Sequence, residues 1–289
     1  MSALEWVKPN RGFSRFGISN CTHGYYGSGV AADEPIRTGY RDGVTDPLLP
    51  LLDLPGVTDA VTAARDAVDR VHRHPANRRG WPTTAAEASV RAARASAAIE
   101  GGRVEIPEDG AVTDPIFTGA LRVAEAIGPL LPTWRRAPLQ ALARLHVLAA
   151  ADLGVAESDL GRPRPEPGIA DRLDLLASLL VAESAVPAPV LAAVVHGELL
   201  ALAPFGTANG IVARAATRLT LIATGLDPKG LVVPEVALLR RGPAYPAAAQ
   251  AFACGTREGV GAWVVFCAKA IADGAKEAGS IADAAGQPA

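Results

Sequence analysis

The chain has 289 residues, of which 49% are hydrophobic, and a formal net charge of −2. This length and hydrophobic content provide one sizeable core. The net charge is near neutral and the arginines are spread along the chain, so the sequence has no basic patch that would bind nucleic acid or an anionic membrane. We therefore expect neither of these as a partner.

The cysteines and the apolar segments indicate a cytoplasmic protein. Cys21, Cys254 and Cys267 form no CxxC pair and no His/Cys cluster with zinc spacing, which is typical of free thiols in a reducing cytosol. The most apolar region, 173–205, is interrupted by charged residues and prolines, so it lacks the roughly 18 apolar residues of a spanning helix. No apolar stretch follows the charges at the N-terminus, which argues against a signal peptide.

Residues 1–43 differ in composition from the rest of the chain. They hold six of its 14 aromatic residues but only three alanines, and they show no sustained period. We expect this extension to be disordered or not translated, since Val44 begins a run that reads like a natural start. A native peptide spanning 37–46 would contradict the second expectation. The GxGxxA pattern at 27–32 lacks a preceding apolar strand, so we interpret it as a chance match.

From residue 46 onward the pattern is helical. Val57, Val61, Ala64, Val68 and Val71 recur at spacings of three or four and form one apolar stripe, which predicts a helix. The predicted helices are Val57–His72, Thr84–Ile99, Ala137–Leu153, Ile169–Ala182, Pro189–Leu202, Asn209–Thr224, Ala244–Ala253 and Glu258–Ala272.

Prolines and glycines fall between these segments and are interpreted as breaks. They include Pro129 and Pro132, and the run 161–168. No strand shows clean alternation, although a short hairpin around Arg103–Ile106 remains an expectation. The pattern predicts one all-α domain of eight or nine helices over residues 44–289.

The stretch from His196 to Arg214 carries the candidate chemistry. Pro204 and Gly206 end one helix, and Thr207 or Asn209 can cap the next. The unpaired N–H groups at that helix start face a partial positive charge, which suits a phosphate. Every helix has such a start, so the order of the residues decides the interpretation.

That order resembles the signature of the Fic family, HxFx(D/E)GNGRxxR. The aligned positions that this sequence keeps are Phe205, Asn209, Gly210 and Arg214. It departs from the signature at Ala203 for the histidine, Thr207 for the acid, Ala208 for the first glycine and Ile211 for the first arginine.

The resemblance covers roughly residues 85–273. Leu145-His146 and then Gly161-Arg-Pro-Arg resemble the helix and flap of the family, and 244–266 resembles its C-terminal helices. Upstream, Ser96, Glu100 and Gly101 match the [S/T]xxxE[G/N] motif of an inhibitory helix, here about 84–100. The resemblance implies a Fic/Fido-like helical domain, with a short β-hairpin as its flap.

The departures imply a decayed catalytic motif. In the family the motif histidine is the general base, the acid holds Mg²⁺, and the loop and arginines hold the phosphates of ATP. Ala203 cannot accept a proton, Thr207 is a poor Mg²⁺ ligand, and Ile211 has no charge for a phosphate. The resemblance thus implies no catalytic residue and no firm Mg²⁺ site, and it leaves ATP as the candidate nucleotide.

The retained residues imply a nucleotide site and an inhibitory contact. Asn209, Gly210 and Arg214 are the candidate nucleotide-binding residues. Glu100 is expected to form a salt bridge with Arg214, and Ser96 to hydrogen-bond locally. His196 lies about two helical turns before Ala203, so it is interpreted as a packed or capping histidine rather than as a substitute base.

Three functions remain open at this stage. The first is a Fic-like pseudoenzyme without protein AMPylation activity, acting as a partner-binding or nucleotide-sensing scaffold. The second is a divergent nucleotidyl or phosphoryl transferase with another base near Asn209. The third is a purely structural interaction protein, which Ala203, Ala208 and Ile211 favour because all three are apolar. The partner is expected to be an unidentified protein, and a homodimer is also expected from the resemblance.

Overall fold

The computed structural model describes residues 46–108, 110–182 and 184–286. The predictions for the extension 1–43, including Cys21 and the pattern at 27–32, lie outside these residues. No helix within the described ranges combines the length and the apolar character needed to cross a membrane.

The described residues form helices and no strand, which confirms the predicted all-α class. Two short 3₁₀ turns, Leu49–Asp53 and Glu157–Asp159, accompany the α-helices. The helices are α1 Val57–Arg73, α2 Pro75–Arg79, α3 Trp81–Ile99, α4 Pro115–Arg136, α5 Pro138–Ala150, α6 Ile169–Val181, α7 Ala188–Leu202, α8 Asn209–Ala223, α9 Pro234–Arg240, α10 Ala244–Ala253 and α11 Arg257–Ala285.

The hairpin expected around Arg103–Ile106 is wrong, and the flap expected as a hairpin has no strand at 161–168 either. The segment 103–106 is irregular. The backbone N–H of Arg103 donates to the carboxylate of Asp114 at 3.0 Å, and the same carboxylate caps α4 by accepting the N–H of Phe117 at 2.9 Å. A side chain thus takes the donor that a β-ladder would need.

The reading of Pro129 and Pro132 as helix breaks is also wrong, because both lie inside α4. A proline removes one helical hydrogen bond and leaves a carbonyl unpaired. Here both rings lie on the exposed side, where water can reach that carbonyl, while Ile127 and Trp134 bury the opposite face. The burial of that face keeps the helix continuous.

The helix α11 is longer than predicted. Its predicted end at Ala272 lies well before the observed end at Ala285, because Ala275, Ala278 and Ile281 extend the buried stripe. Gly274 lies inside this stretch, and a Cβ there would come within 2.6 Å of the backbone that leads into α9. Glycine therefore permits close packing here rather than ending the helix.

The helices α7 and α8 form the centre of the fold. They pack on each other, α11 and α10 cover α7, and α4 and α5 cover α8. The predicted stripe of α1 is buried against α11, and α3 packs between α4 and α9. The loop between α7 and α8 therefore lies on a fixed scaffold.

Candidate functional site

The loop 203–208 joins the end of α7 to the start of α8. Ala203 and Ala208 both have left-handed backbones, with φ of 42° and 56°. The side chain of Asn209 closes the loop: its Oδ1 accepts the N–H of Phe205 at 3.0 Å, and its Nδ2 donates to the Phe205 carbonyl at 2.8 Å. Asn209, a predicted nucleotide-binding residue, is engaged within the loop itself.

Arg164 caps the end of α7. Its backbone N–H donates to the carbonyl of Pro204 at 2.7 Å, and its Nε donates to the carbonyl of Ala203 at 3.0 Å. A cation at a helix C-terminus pairs with the unsatisfied carbonyls and with the negative end of the helix dipole. The flap segment 161–168 is thereby fastened to the loop.

His146 fastens the same two segments from the side of α5. Its ring stacks on that of Phe205, with centroids 4.2 Å apart and planes 4° from parallel. Its Nδ1 accepts the N–H of Gly161 at 2.9 Å. Burial lowers the pKa of His146, and a backbone contact at Thr207 acts in the opposite direction. The neutral ring is therefore a structural support.

The predicted salt bridge between Glu100 and Arg214 is present. Arg214 is 2% exposed, and its Nη2 lies 2.7 Å from Oε1 of Glu100. The guanidinium also donates to Oγ of Ser96 at 2.8 Å and to its carbonyl at 3.1 Å, so Ser96 bonds as expected. Gly101 follows α3 with φ of 83°, a conformation that favours glycine. The end of α3 is thus tied to the first turns of α8.

Gly210 makes room for this carboxylate. A Cβ at this position would lie 2.0 Å from Oε1 of Glu100. Glu100 therefore lies against the first turn of α8, where free N–H groups and the helix dipole favour an anion. A phosphate would need that space. In this structure the chain supplies the anion itself.

Two further residues extend the network inward from Arg214. The hydroxyl of Tyr245 lies 3.5 Å from Nη1 of Arg214 and 2.7 Å from Nε2 of His196. Burial, and secondarily Arg214, lowers the pKa of His196 to about 3, while burial raises the pKa of Tyr245 to about 12. Both rings are thus neutral near pH 7 and are joined by one hydrogen bond. His196 is a packed histidine, as expected.

The sequence reasoning missed the roles of Tyr245 and Arg164. Both lie in segments that carried the family resemblance, but neither follows from helical periodicity. Their partners come from other helices: Arg214 and His196 for Tyr245, and the end of α7 for Arg164. The stretch Gly161-Arg-Pro-Arg placed Arg164 in the flap by resemblance, but it did not indicate the partners of this side chain.

Three of the four departures from the signature are apolar, and two of these, Ala208 and Ile211, are buried. Ile211 is 2% exposed and Ala208 is 8% exposed, and both belong to the main core. Ile211 and two alanines of α3, Ala92 and Ala93, line the same small cavity.

The residues present do not fit Mg²⁺ or an ATP phosphate in this arrangement. Mg²⁺ prefers carboxylate oxygens, and Thr207 offers a neutral hydroxyl. Nowhere in the described part of the chain do three His, Cys, Asp or Glu side chains cluster to hold a metal. The remaining carboxylate, Glu100, is paired with Arg214 and occupies the space above Gly210.

Solved structures similar to this chain decide the fold. A Fic family protein from Desulfovibrio desulfuricans G20 is 24% identical, with a TM-score of 0.61 over 78% of this chain and 74% of that chain. Fic-1 from C. elegans is 18% identical, with a TM-score of 0.62 over 80% of this chain and 74% of that chain. The chain has the Fic fold. A point variant of the C. elegans protein is similar to this chain to the same degree. It is 18% identical, with a TM-score of 0.63 over 81% of this chain and 74% of that chain.

No family model matches the sequence, and no curated protein matches it. The likeness therefore concerns the Fic fold alone, and activity has to be argued from the residues.

Proposed function

We propose that this chain is a Fic-fold pseudoenzyme: a cytoplasmic scaffold that binds a partner protein and transfers no AMP. The observation that carries the proposal is Ala203, which places a methyl group at the turn where the signature has its general base. The carboxylate of Glu100 lies against Gly210 in the first turn of α8 and is held there by the buried Arg214. A nucleotide phosphate and this carboxylate cannot share the position.

Among the described residues, neither histidine close to the loop is a usable base, which supports the same function. Ala203 offers a methyl group where the signature has its histidine. His146 uses Nδ1 for Gly161 and is buried under Phe205, and His196 is buried with a pKa of about 3. A general base works best with a pKa near the operating pH and within reach of its substrate. Neither histidine meets both conditions.

A purely structural interaction protein is the second candidate. The burial of Ile211 and Ala208 in the main core favours it, because these positions have become part of the packing. The two candidates differ in whether the site keeps any affinity for a nucleotide when Glu100 is absent.

Calorimetry with ATP and Mg²⁺ on the wild type and on Glu100→Gly separates them. A nucleotide-sensing scaffold gives no binding in the wild type and measurable binding in Glu100→Gly, because the start of α8 becomes free. A structural protein binds in neither form. The matched control is Glu105→Gly, an exposed glutamate in the next loop, which should behave as the wild type.

Transfer of labelled AMP from ATP tests the absence of catalysis. We expect no labelled protein with the wild type or with Glu100→Gly, alone or in a cell lysate. Labelling of any protein by either form would overturn the pseudoenzyme proposal and support the divergent transferase.

A further inference from the structure

The short helix α2, Pro75–Arg79, adds no hydrophobic side chain to the core. Its one buried residue is Asn77. An isolated helix of this length is not stable in water, so tertiary contacts must hold it in place. Nδ2 of Asn77 donates to the carbonyl of Val71 at 2.9 Å, and Oγ1 of Thr84 donates to Oδ1 of Asn77 at 2.7 Å. Both hydrogen bonds are buried and join α2 to α1 and α3.

Two further side chains fasten α2. Nζ of Lys229, in the loop after α8, donates to the carbonyl of Asn77 at 2.7 Å. Nδ1 of His74 accepts the N–H of Ala76 at 3.3 Å, and Nε2 of the same ring lies 3.1 Å from Oδ1 of Asp283 in α11. The position of α2 is therefore fixed by hydrogen bonds rather than by apolar packing.

The outward side of this region carries arginines. Arg78 and Arg79 in the last turn of α2 are exposed, and so are Arg70 and Arg73 at the end of α1. Within the described ranges Arg70, Arg78 and Arg79 form no ion pair, and Arg73 pairs with Asp69 of the same helix at 3.1 Å. That pair is exposed on both sides, so it contributes little and salt screens it. The four charges face solvent.

Trp81 adds an apolar side chain next to these charges. It opens α3 directly after Gly80 and is 39% exposed, whereas Trp134 and Trp263 are buried. Arginine and tryptophan are enriched among the residues that dominate the binding energy of protein interfaces. The side chains that we group as the arginine surface are Arg70, Arg73, Arg78, Arg79 and Trp81.

Acidic side chains of the elements that pack against α1 and α2 have partners of their own. Asp283 of α11 contacts His74, as described above. Asp227, in the loop after α8, is 3% exposed; it contacts His72 at 2.8 Å and accepts the N–H of Leu231 at 3.0 Å. The charges of the arginine surface are therefore open to a negatively charged partner.

We propose that the arginine surface binds an acidic segment of a partner protein. Carboxylates of that segment pair with Arg78 and Arg79, and an apolar side chain covers Trp81. A guanidinium can donate two parallel hydrogen bonds to one carboxylate, which gives the contact direction as well as charge. Because α2 is fixed before the partner arrives, little freedom is lost on binding.

The extent of the arginine surface favours a protein segment over nucleic acid or an anionic membrane. By its helical rise α2 is about 7.5 Å long, so the arginines cover a short length of the molecule. Nucleic acid and anionic membranes are bound by charge over longer tracks. The net charge of −2 also repels a long polyanion from the rest of the chain. A short acidic segment meets the arginines alone.

Fluorescence anisotropy of the full chain with a fluorescein-labelled decapeptide of glutamate and leucine tests the proposal. We expect the double variant Arg78→Ala, Arg79→Ala to bind at least about tenfold more weakly at low salt, because it loses charged hydrogen bonds. The matched control is Arg144→Ala, Arg257→Ala. It removes the same charge from two exposed arginines that form no ion pair among the described residues, and it should bind as the wild type does.

The emission of Trp81 shows where the peptide lies. With unlabelled peptide, which contains no aromatic residue, we expect the tryptophan emission to shift to shorter wavelength because an exposed indole becomes covered. Trp81→Phe should lose this shift and bind about threefold more weakly.

Three results would overturn the proposal. The first is that the peptide does not bind, and the second is that the two double variants weaken its binding equally. The third is that oligothymidylate or phosphatidylserine vesicles bind more tightly than the peptide and lose this binding in Arg78→Ala, Arg79→Ala. The surface would then serve nucleic acid or a membrane.

This inference rests on the proposed function for the existence of a protein partner, and it names the chemistry of that partner. Neither ATP nor Glu100 enters the test, so its failure leaves the calorimetry and the labelling with AMP unaffected. Transfer of AMP would overturn the pseudoenzyme proposal but would not change the measured binding of the peptide.

Discussion

At the scale of single residues, the loop has a left-handed backbone at two alanines, Ala203 and Ala208. Ala208 occupies the place of the first glycine and has φ of 56°. The left-handed conformation costs a non-glycine residue about 1–2 kcal/mol. Closure of the loop by Asn209 and burial against the core hold Ala208 in it. The turn is therefore strained but ordered.

Replacing Ala208 by glycine should relieve that strain. We expect Ala208→Gly to raise the free energy of unfolding by about 0.5 kcal/mol, because the relief exceeds the added freedom of the unfolded chain. Urea unfolding followed by circular dichroism measures it. Ala216→Gly, in the interior of α8, is the control and should destabilise by about 1 kcal/mol or more. A loss of stability in Ala208→Gly would show that the turn is not strained.

At the scale of elements, the flap segment acts as a clamp. Arg164 binds the carbonyls at the end of α7, and the prolines at 163, 165 and 167 leave few backbone donors in the segment. A strand cannot add to such a segment along its length. Its described contacts with the loop and with His146 favour a structural role over docking of a peptide.

Removing the side chain of Arg164 should loosen both segments. We expect Arg164→Ala to lower the free energy of unfolding by about 1 kcal/mol, since the side chain is partly exposed and solvent weakens its charged hydrogen bonds. Hydrogen exchange should increase in 161–168 and 202–206. Arg162→Ala, an exposed neighbour, is the control. Equal exchange in the two variants would mean that the clamp does not depend on Arg164.

Elements with a regular apolar stripe could be predicted from the sequence, and those that depend on tertiary contacts could not. The stripe from Val57 to Val71 defined α1 almost to its ends. Pro129 and Pro132 led to a wrong prediction of a helix break. Whether a proline ends a helix depends on which side of the helix faces solvent, and both prolines lie on the exposed side of α4. In the site, Glu100 and Arg214 were found through the family resemblance. Tyr245 escaped notice, because nothing in its local sequence indicates that its hydroxyl lies beside Arg214.

At the scale of the whole molecule, the central helices bury more ionisable groups than the site uses. His196 and Glu198 on α7, and Arg214 and Arg218 on α8, are all at least nine-tenths buried. Burial holds His196 in its neutral state, because a charged ring would be costly in this interior. The stability of the domain should therefore depend on pH well above the range where exposed carboxylates titrate.

His196 makes the domain less stable as the pH falls. Its folded pKa is about 3, below the ordinary 6.5, so the unfolded chain binds more protons between these values. Stability from the neutral ring is complete above pH 6.5 and is lost as the pH falls, by at most about 1.4 kcal/mol per pH unit.

Urea unfolding at pH 8, 7, 6 and 5 should show this loss in the wild type. His196→Gln is expected to be less stable at pH 8, because the packing against Tyr245 and Trp263 is changed, but to have a shallower slope between pH 6.5 and 5. Above pH 7 the two slopes should agree, which provides the internal control. Carboxylates with lowered pKa, such as Asp273 and Glu277, lose their contribution at lower pH, so they do not obscure this window. Equal slopes between pH 6.5 and 5 would mean that His196 gains no proton on unfolding. That result would contradict the lowered pKa of its buried ring.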